Sequence, residues 1–173
     1  MYLVSIYFDE KTTSRIQGYI TQVAKRSGNT FMIEKNVPPH LTISAFETRS
    51  EDQVISLFEE MTDMFQSEEM IWCSVGAFFP YVLYLSPVLN TYLQELSEKV
   101  YKELLKIADV KVHKCYRPMQ WVPHATIGKK LSKEEMLAAF QVLQEQFGVF
   151  SSRVVRIGLA KTNPYEELWK KVM

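Results

Sequence analysis

Val37-Pro38-Pro39-His40-Leu41-Thr42-Ile43 and Trp121-Val122-Pro123-His124-Ala125-Thr126-Ile127 are two copies of one pattern, Pro-His-x-Thr-Ile. The chain has three histidines, and two of them lie in this pattern. A His-x-Thr-Ile segment after proline favours an extended strand, because Thr and Ile are β-branched. In a strand, residues i and i+2 point to one face. His40 therefore shares a face with Thr42, and His124 with Thr126. Leu41, Ile43, Ala125 and Ile127 point the other way, towards a core. The prolines fix the approach to each strand and remove backbone donors there. Each copy offers one imidazole beside one hydroxyl, and two facing copies would line one small cavity with two of each.

That set suits phosphodiester chemistry. A base must activate water and an acid must protonate the leaving oxygen. Histidine serves either role because its ordinary pKa, about 6.5, lies near working pH. Two hydroxyls can donate to the non-bridging phosphate oxygens and hold the group in line. No metal or cofactor is expected. A zinc site from His113, Cys115 and His124 is the rival arrangement, but it lacks an obvious fourth ligand and leaves the His40 copy unexplained.

Outward from the motifs, the pattern of the chain also repeats. The first half predicts a strand over 1–8, a helix over 14–27, the motif strand over 40–46, a helix from 50 to 65 and a strand over 70–79. The second predicts a strand over 81–85, a long helix over 89–107, the motif strand over 121–128, a helix opened by Ser132 and a strand over 150–161. An Asn163-Pro164 turn and a short strand over 168–172 close the chain. Leu89, Leu93, Leu96, Val100, Leu104 and Ile107 recur at spacings of four and three, the helical period. Ser14 with Gln17, Ser50 with Gln53 and Ser132 with Glu135 read as capping boxes. Whether 70–85 forms a hairpin or a crossing between halves is open. The two histidines lie about half a chain length apart, so an internal duplication explains the order. The expected fold is α+β and bilobal. Its halves, about 1–79 and 80–173, are each strand-helix-strand-helix-strand, with mainly antiparallel sheets facing a central cleft in one domain.

Composition narrows the classes. The chain has 173 residues, 47% of them hydrophobic, enough for one globular domain. Lysine plus arginine equals aspartate plus glutamate, at 20 each, so no strong field draws the whole protein onto nucleic acid. Cys73 and Cys115 make no disulfide scaffold, and Met1–Phe8 lacks the basic flank of a secretory leader. No apolar run approaches the roughly 20 residues that span a bilayer. The expected compartment is the cytoplasm, for a monomer without membrane or obligate protein partner.

With the two motifs placed in this way, the chain resembles the two-histidine phosphoesterase superfamily over nearly its whole length. The nearest branch is that of the 2′-5′ RNA ligase-like proteins and cyclic phosphodiesterases. The resemblance implies that His40 and His124 are general acid and base and that Thr42 and Thr126 bind phosphate. It implies action on 2′,3′-cyclic phosphate or 2′-5′ linkages at an RNA end or in a small nucleotide, without metal. Tyr116, Arg117, Trp121, Lys129 and Tyr7 are the candidates for holding the nucleotide. Ligation, in which a sugar hydroxyl replaces water, and binding without turnover are the alternative outcomes of the same cleft.

Overall fold

A computed structural model describes residues 1–162 and 164–173. The expected Asn163-Pro164 turn falls partly on Asn163, outside the described residues. The elements are β1 (Tyr2–Phe8), α1 (Glu10–Ser27), α2 (Phe31–Lys35), β2 (Leu41–Glu47), α3 (Glu51–Glu60), β3 (Glu69–Phe78), β4 (Val82–Pro87), α4 (Thr91–Leu104), β5 (Lys111–Val112), β6 (Ala125–Lys129), α5 (Lys133–Gln146), β7 (Phe150–Lys161) and β8 (Glu166–Val172). The fold is α+β, and every strand pairing among the described residues is antiparallel.

The strand order is β5-β2-β1-β7-β3-β4-β6, with β8 also on β7. The triplets β2-β1-β7 and β6-β4-β3 mirror each other. In each, a motif strand pairs with the first strand of its own half, which pairs with the last strand of the other half. The helices cross over in the same way. α1 packs on β6 and α5, whereas α4 packs on β2 and α3. The strands and helices of the two sequence halves are thus interleaved rather than sorted to either side of residue 79. The β3–β7 pair joins the two triplets, and Trp72 is fully buried there with its indole Nε1 donating to Ser152 Oγ at 2.9 Å. An indole buried with its one polar atom paired is a large apolar gain without a desolvation penalty.

Several boundaries differ from the sequence reading. α1 starts four residues before Ser14, because Asp9 is its cap: its carboxylate accepts from Thr12 N at 2.8 Å and from Thr12 Oγ1 at 2.9 Å. Ser50 caps α3 without a side-chain bond and instead donates to Asp109. Ser132 and Glu135 do form both bonds of a capping box on α5. Gly28 closes α1 in the left-handed region, φ 79°, where glycine carries no steric cost. The link after it carries α2, and the 109–119 loop carries β5. Residues 69–87 form a hairpin, β3 pairing with β4.

Asp9 also accepts from the backbone N–H of Arg153, at 2.8 Å, tying the start of α1 to β7. Burial pushes its pKa up, but the donors from Arg153 and Thr12 outweigh that and hold it below 3.8. Stability from the ionised carboxylate is therefore present above pH 3.8 and lost as pH falls through the lower folded-state value. Asp9→Ala should lower stability by about 1–3 kcal/mol, since it leaves these donors without a partner. Urea denaturation at pH 7 checks this, and the gap between variant and parent should narrow on acidification.

Candidate active site

Each motif reaches the site by the same local route. Pro39 and Pro123 are buried and fix the chain just before the histidine. The histidine lies one residue ahead of its strand, not within it as the alternation predicted. Its ring turns back on its own approach: His40 Nδ1 is 2.8 Å from the carbonyl of Pro38, and His124 Nδ1 is 2.8 Å from that of Val122. A carbonyl can only accept, so Nδ1 carries the proton in both rings. Nε2 is then the free acceptor on each neutral imidazole.

The threonines face the same way because of a shared irregularity. Thr42 pairs with Ser5, and the β1–β2 register then slips so that Ser44 meets Val4. Thr126 pairs with Tyr84, and the β4–β6 register slips so that Gly128 meets Leu83. Ile43 and Ile127 are the skipped residues, and both are buried. Each motif strand thus carries a bulge one residue past its threonine. Directly paired residues share a face of the sheet. The bulge therefore turns threonine and the residue three after it to one side. On that side lie Ser5, Thr42, Tyr7 and Arg156 in one triplet, and Gly76, Phe78, Tyr84, Thr126 and Lys129 in the other.

The two triplets close on one another. β2 and β6 touch, although they lie near opposite ends of the strand order. Trp121, from the second motif, donates its indole N–H to the carbonyl of Thr42 in the first, at 3.1 Å. Both imidazoles are half-buried. Burial lowers the pKa of each below 6.5, against the carbonyl bond that raises it. His40 is lowered further by His124 and by the Lys129 ammonium, so the rings are near enough for a proton on one to disfavour a proton on the other.

The surroundings of the two rings differ. His124 stands edge-on to Phe78, with centroids 4.8 Å apart, and lies 5.3 Å from Tyr84. Tyr84 lies across Gly76, where a Cβ would come within 2.5 Å of its ring, so this wall requires glycine. His40 has Tyr7 at 6.0 Å. Tyr7 is buried beneath the Arg156 guanidinium, 3.7 Å from the ring centroid, and Arg156 pairs with Glu167. Thr42 Oγ1 is 3.5 Å from Ser5 Oγ, and the Tyr116 phenol lies beside Thr42.

Of the residues singled out from sequence, His40, Thr42, His124, Thr126, Lys129, Tyr7, Tyr116 and Trp121 come together. Trp121 is core and bonds a backbone carbonyl rather than presenting a face to the cleft. Arg117 is exposed on the loop before the second motif, and among the described residues no ion pair ties it to the site. Ser5, Gly76, Phe78, Tyr84 and Arg156 were not foreseen. Their signal lies in strand register, which the motif itself does not carry. His113 sits apart with Cys115, whose N–H donates to its Nδ1 at 3.4 Å. Among the described residues no group of three or more His, Cys, Asp or Glu gathers at metal-binding range.

The family model of the 2′-5′ RNA ligase superfamily matches residues 14–166, and the chain belongs to that family. The fold agrees with solved structures over almost its whole length. Escherichia coli LigT in complex with 3′-AMP superposes with a TM-score of 0.63 at 14% identity, covering 99% of this chain and 97% of LigT. LigT in complex with NADP+ gives 0.57 at 15% identity, covering 99% and 96%. A structure described as a phosphoesterase gives 0.58 at 16% identity, covering 99% and 97%. Among curated proteins no significant sequence match is found.

The lowered imidazole pKa values have a direct readout. In an NMR titration both rings should reach their midpoints below pH 6.5. Lys129→Gln should raise the His40 midpoint. Because the unfolded chain takes up these protons first, the stability of the neutral pair is complete above pH 6.5 and is lost as pH falls through the folded-state values.

Proposed function

We propose that the chain is a metal-independent phosphoesterase acting on 2′,3′-cyclic phosphate or 2′-5′ phosphodiester linkages at RNA ends or in small nucleotides. The observation that supports this reading is the matched pair of imidazoles. Each is held through Nδ1, each presents Nε2, and each has a threonine on the shared face of its sheet. Membership of the superfamily supports the reaction class, and LigT structures holding 3′-AMP and NADP+ support a nucleotide ligand.

In the proposed reaction one neutral histidine takes a proton from water through Nε2 as the water oxygen attacks phosphorus. The opposite P–O bond breaks, and the other histidine, protonated, delivers its Nε2 proton to the leaving sugar oxygen. Opening a 2′,3′-cyclic phosphate by departure of the 3′-oxygen leaves a 2′-phosphate and a 3′-hydroxyl. Thr42 and Thr126 donate to the non-bridging oxygens, and Lys129 offsets their charge. Tyr116 and Tyr7 border the same side as half-buried and buried walls. When a sugar hydroxyl takes the place of water, the same groups join rather than cleave.

The pair carries one proton in its working state, and its placement follows from the charges nearby. Burial lowers both rings and repulsion between them is mutual, but His40 is lowered further by the Lys129 ammonium. The proton therefore settles on His124, which we assign as the acid, with His40 as the base. The two exposed, unpaired thiols, Cys73 and Cys115, suit a reducing cytoplasm, and among the described residues no helix is long and apolar enough to cross a membrane.

Turnover of a 2′,3′-cyclic nucleotide should survive EDTA. It should fall by a factor of about 10²–10⁴ in His40→Ala and in His124→Ala, with the fold intact. The kcat/KM profile should peak below pH 6.5. Residual activity of His40→Ala should lose the acid limb, and that of His124→Ala the alkaline limb. Full activity in either variant, or its loss in EDTA, would sink the mechanism.

A further inference from the structure

The turn of the β3–β4 hairpin, beside His124, is aromatic and open to solvent. Phe79 is 79% exposed and Tyr81 59% exposed. Large aromatics at this exposure contribute nothing to a core, and their neighbour Phe78 is the residue packed on the His124 ring. The turn is held to the end of β6 by the Leu131 N–H, which donates to the Tyr81 carbonyl at 3.1 Å. On the other side of that segment, α2 contacts β6 and sets the half-buried Phe31 under two ammonium groups. Lys130 lies 4.8 Å from its ring centroid and Lys35 lies 5.7 Å from it. Phe79, Tyr81, Lys129, Lys130, Phe31 and Lys35 therefore form one strip. It runs from the hairpin turn, across the end of the second motif strand, to the helix that leads into the first motif.

Although the chain is neutral overall, none of Lys35, Lys129 and Lys130 takes part in an ion pair among the described residues. The nearby carboxylates bond neutral donors, Glu34 accepting from Thr30 and Glu135 from Asn29 and the Ser132 N–H, so they reduce the positive charge of the three lysines without pairing with them. A single scissile phosphate can neutralise Lys129, which reaches His40, but it leaves two further ammonium groups and two open aromatic faces outside the reacting centre. Alternating cations and exposed rings is the pattern that tracks a single-stranded nucleic acid, phosphates on the lysines and bases on the rings.

We propose that this strip is a binding surface for single-stranded RNA extending from the reacting end. The natural substrate is then an oligonucleotide end rather than a free mononucleotide. The inference rests on the phosphoesterase reading for which linkage reacts, but the surface can be tested by binding alone.

The experiment uses the full chain and a fluorescent RNA hexamer ending in a 3′-phosphate, which the reaction cannot consume. It is read by anisotropy over a salt series, beside turnover of a 2′,3′-cyclic mononucleotide and of a hexamer with the same cyclic end. Phe79→Ala/Tyr81→Ala should weaken hexamer binding by about five- to a hundredfold. Lys35→Gln/Lys130→Gln should reduce the slope of log K against log salt by about 1.4, near 0.7 for each lysine–phosphate pair removed. Both double variants should lose kcat/KM on the cyclic hexamer and keep that on the cyclic mononucleotide. A hexamer bound no more tightly than a mononucleotide, or bound equally by parent and variants, overturns the inference and leaves the catalytic reading standing. If no cyclic substrate turns over while the binding differences hold, the catalytic reading fails and the surface remains.

Discussion

The 2.8 Å bond from each imidazole Nδ1 to the carbonyl two residues earlier is the constraint on which the site depends. A free histidine samples both tautomers and several ring orientations. A carbonyl partner removes that freedom, because only Nδ1–H can donate to it. The proline between carbonyl and histidine has no N–H to compete for the bond, and its ring limits the turn. The bond is worth about 1 kcal/mol as a stabilising contact, but its larger effect is to leave Nε2 as the group that meets a ligand. His113 makes the contrast. Its Nδ1 accepts from the Cys115 N–H, so it holds the opposite tautomer and serves its own loop.

A fixed imidazole is useful only if its counterpart is near, and the exchange of strands brings this about. β7 of the second half completes the first triplet and β3 of the first half completes the second. Neither half can close its own sheet, so the two motif strands cannot drift apart without breaking the β3–β7 junction around Trp72. The exchange of α1 and α4 has the same consequence on the outer faces. Thr42 and Trp121 then join the copies directly. The position of the two motif strands is thereby tied to the most buried part of the molecule.

The motifs, the order of elements and the antiparallel α+β class were legible because they depend on local chemistry. Period-two and period-3.6 patterns tell which face of an element is apolar, but not which partner covers it. For that reason the exchange of strands and helices was not readable. The same limit explains Ser5 and Tyr84, which reach the threonines only through register with distant strands. Ser14 shows a different failure. Its spacing to Gln17 matches a capping box, yet Asp9 wins the cap because it also collects the Arg153 N–H from β7, a bond that no local pattern encodes. Arg117 was singled out for its closeness to the second motif in sequence and for the fit of a guanidinium to phosphate, and the structure leaves it exposed on that loop.

Duplication produces two equal groups, whereas acid–base chemistry needs two unequal ones. The scaffold itself does not break the tie, since both rings share the same carbonyl bond and the same bulged strand. The difference arises from what the copies no longer share. Position for position, the first threonine pairs with Ser5 and the second with Tyr84, and Lys129 follows the second threonine where Ala45 follows the first. That one lysine projects from the second copy but acts on the ring of the first. A cation there disfavours a proton on His40. In the proposed reaction a phosphodiester anion would offset the same cation and draw both pKa values upward, towards neutral working pH. The symmetric frame holds the two side chains alike, and a small asymmetry of charge makes them unequal.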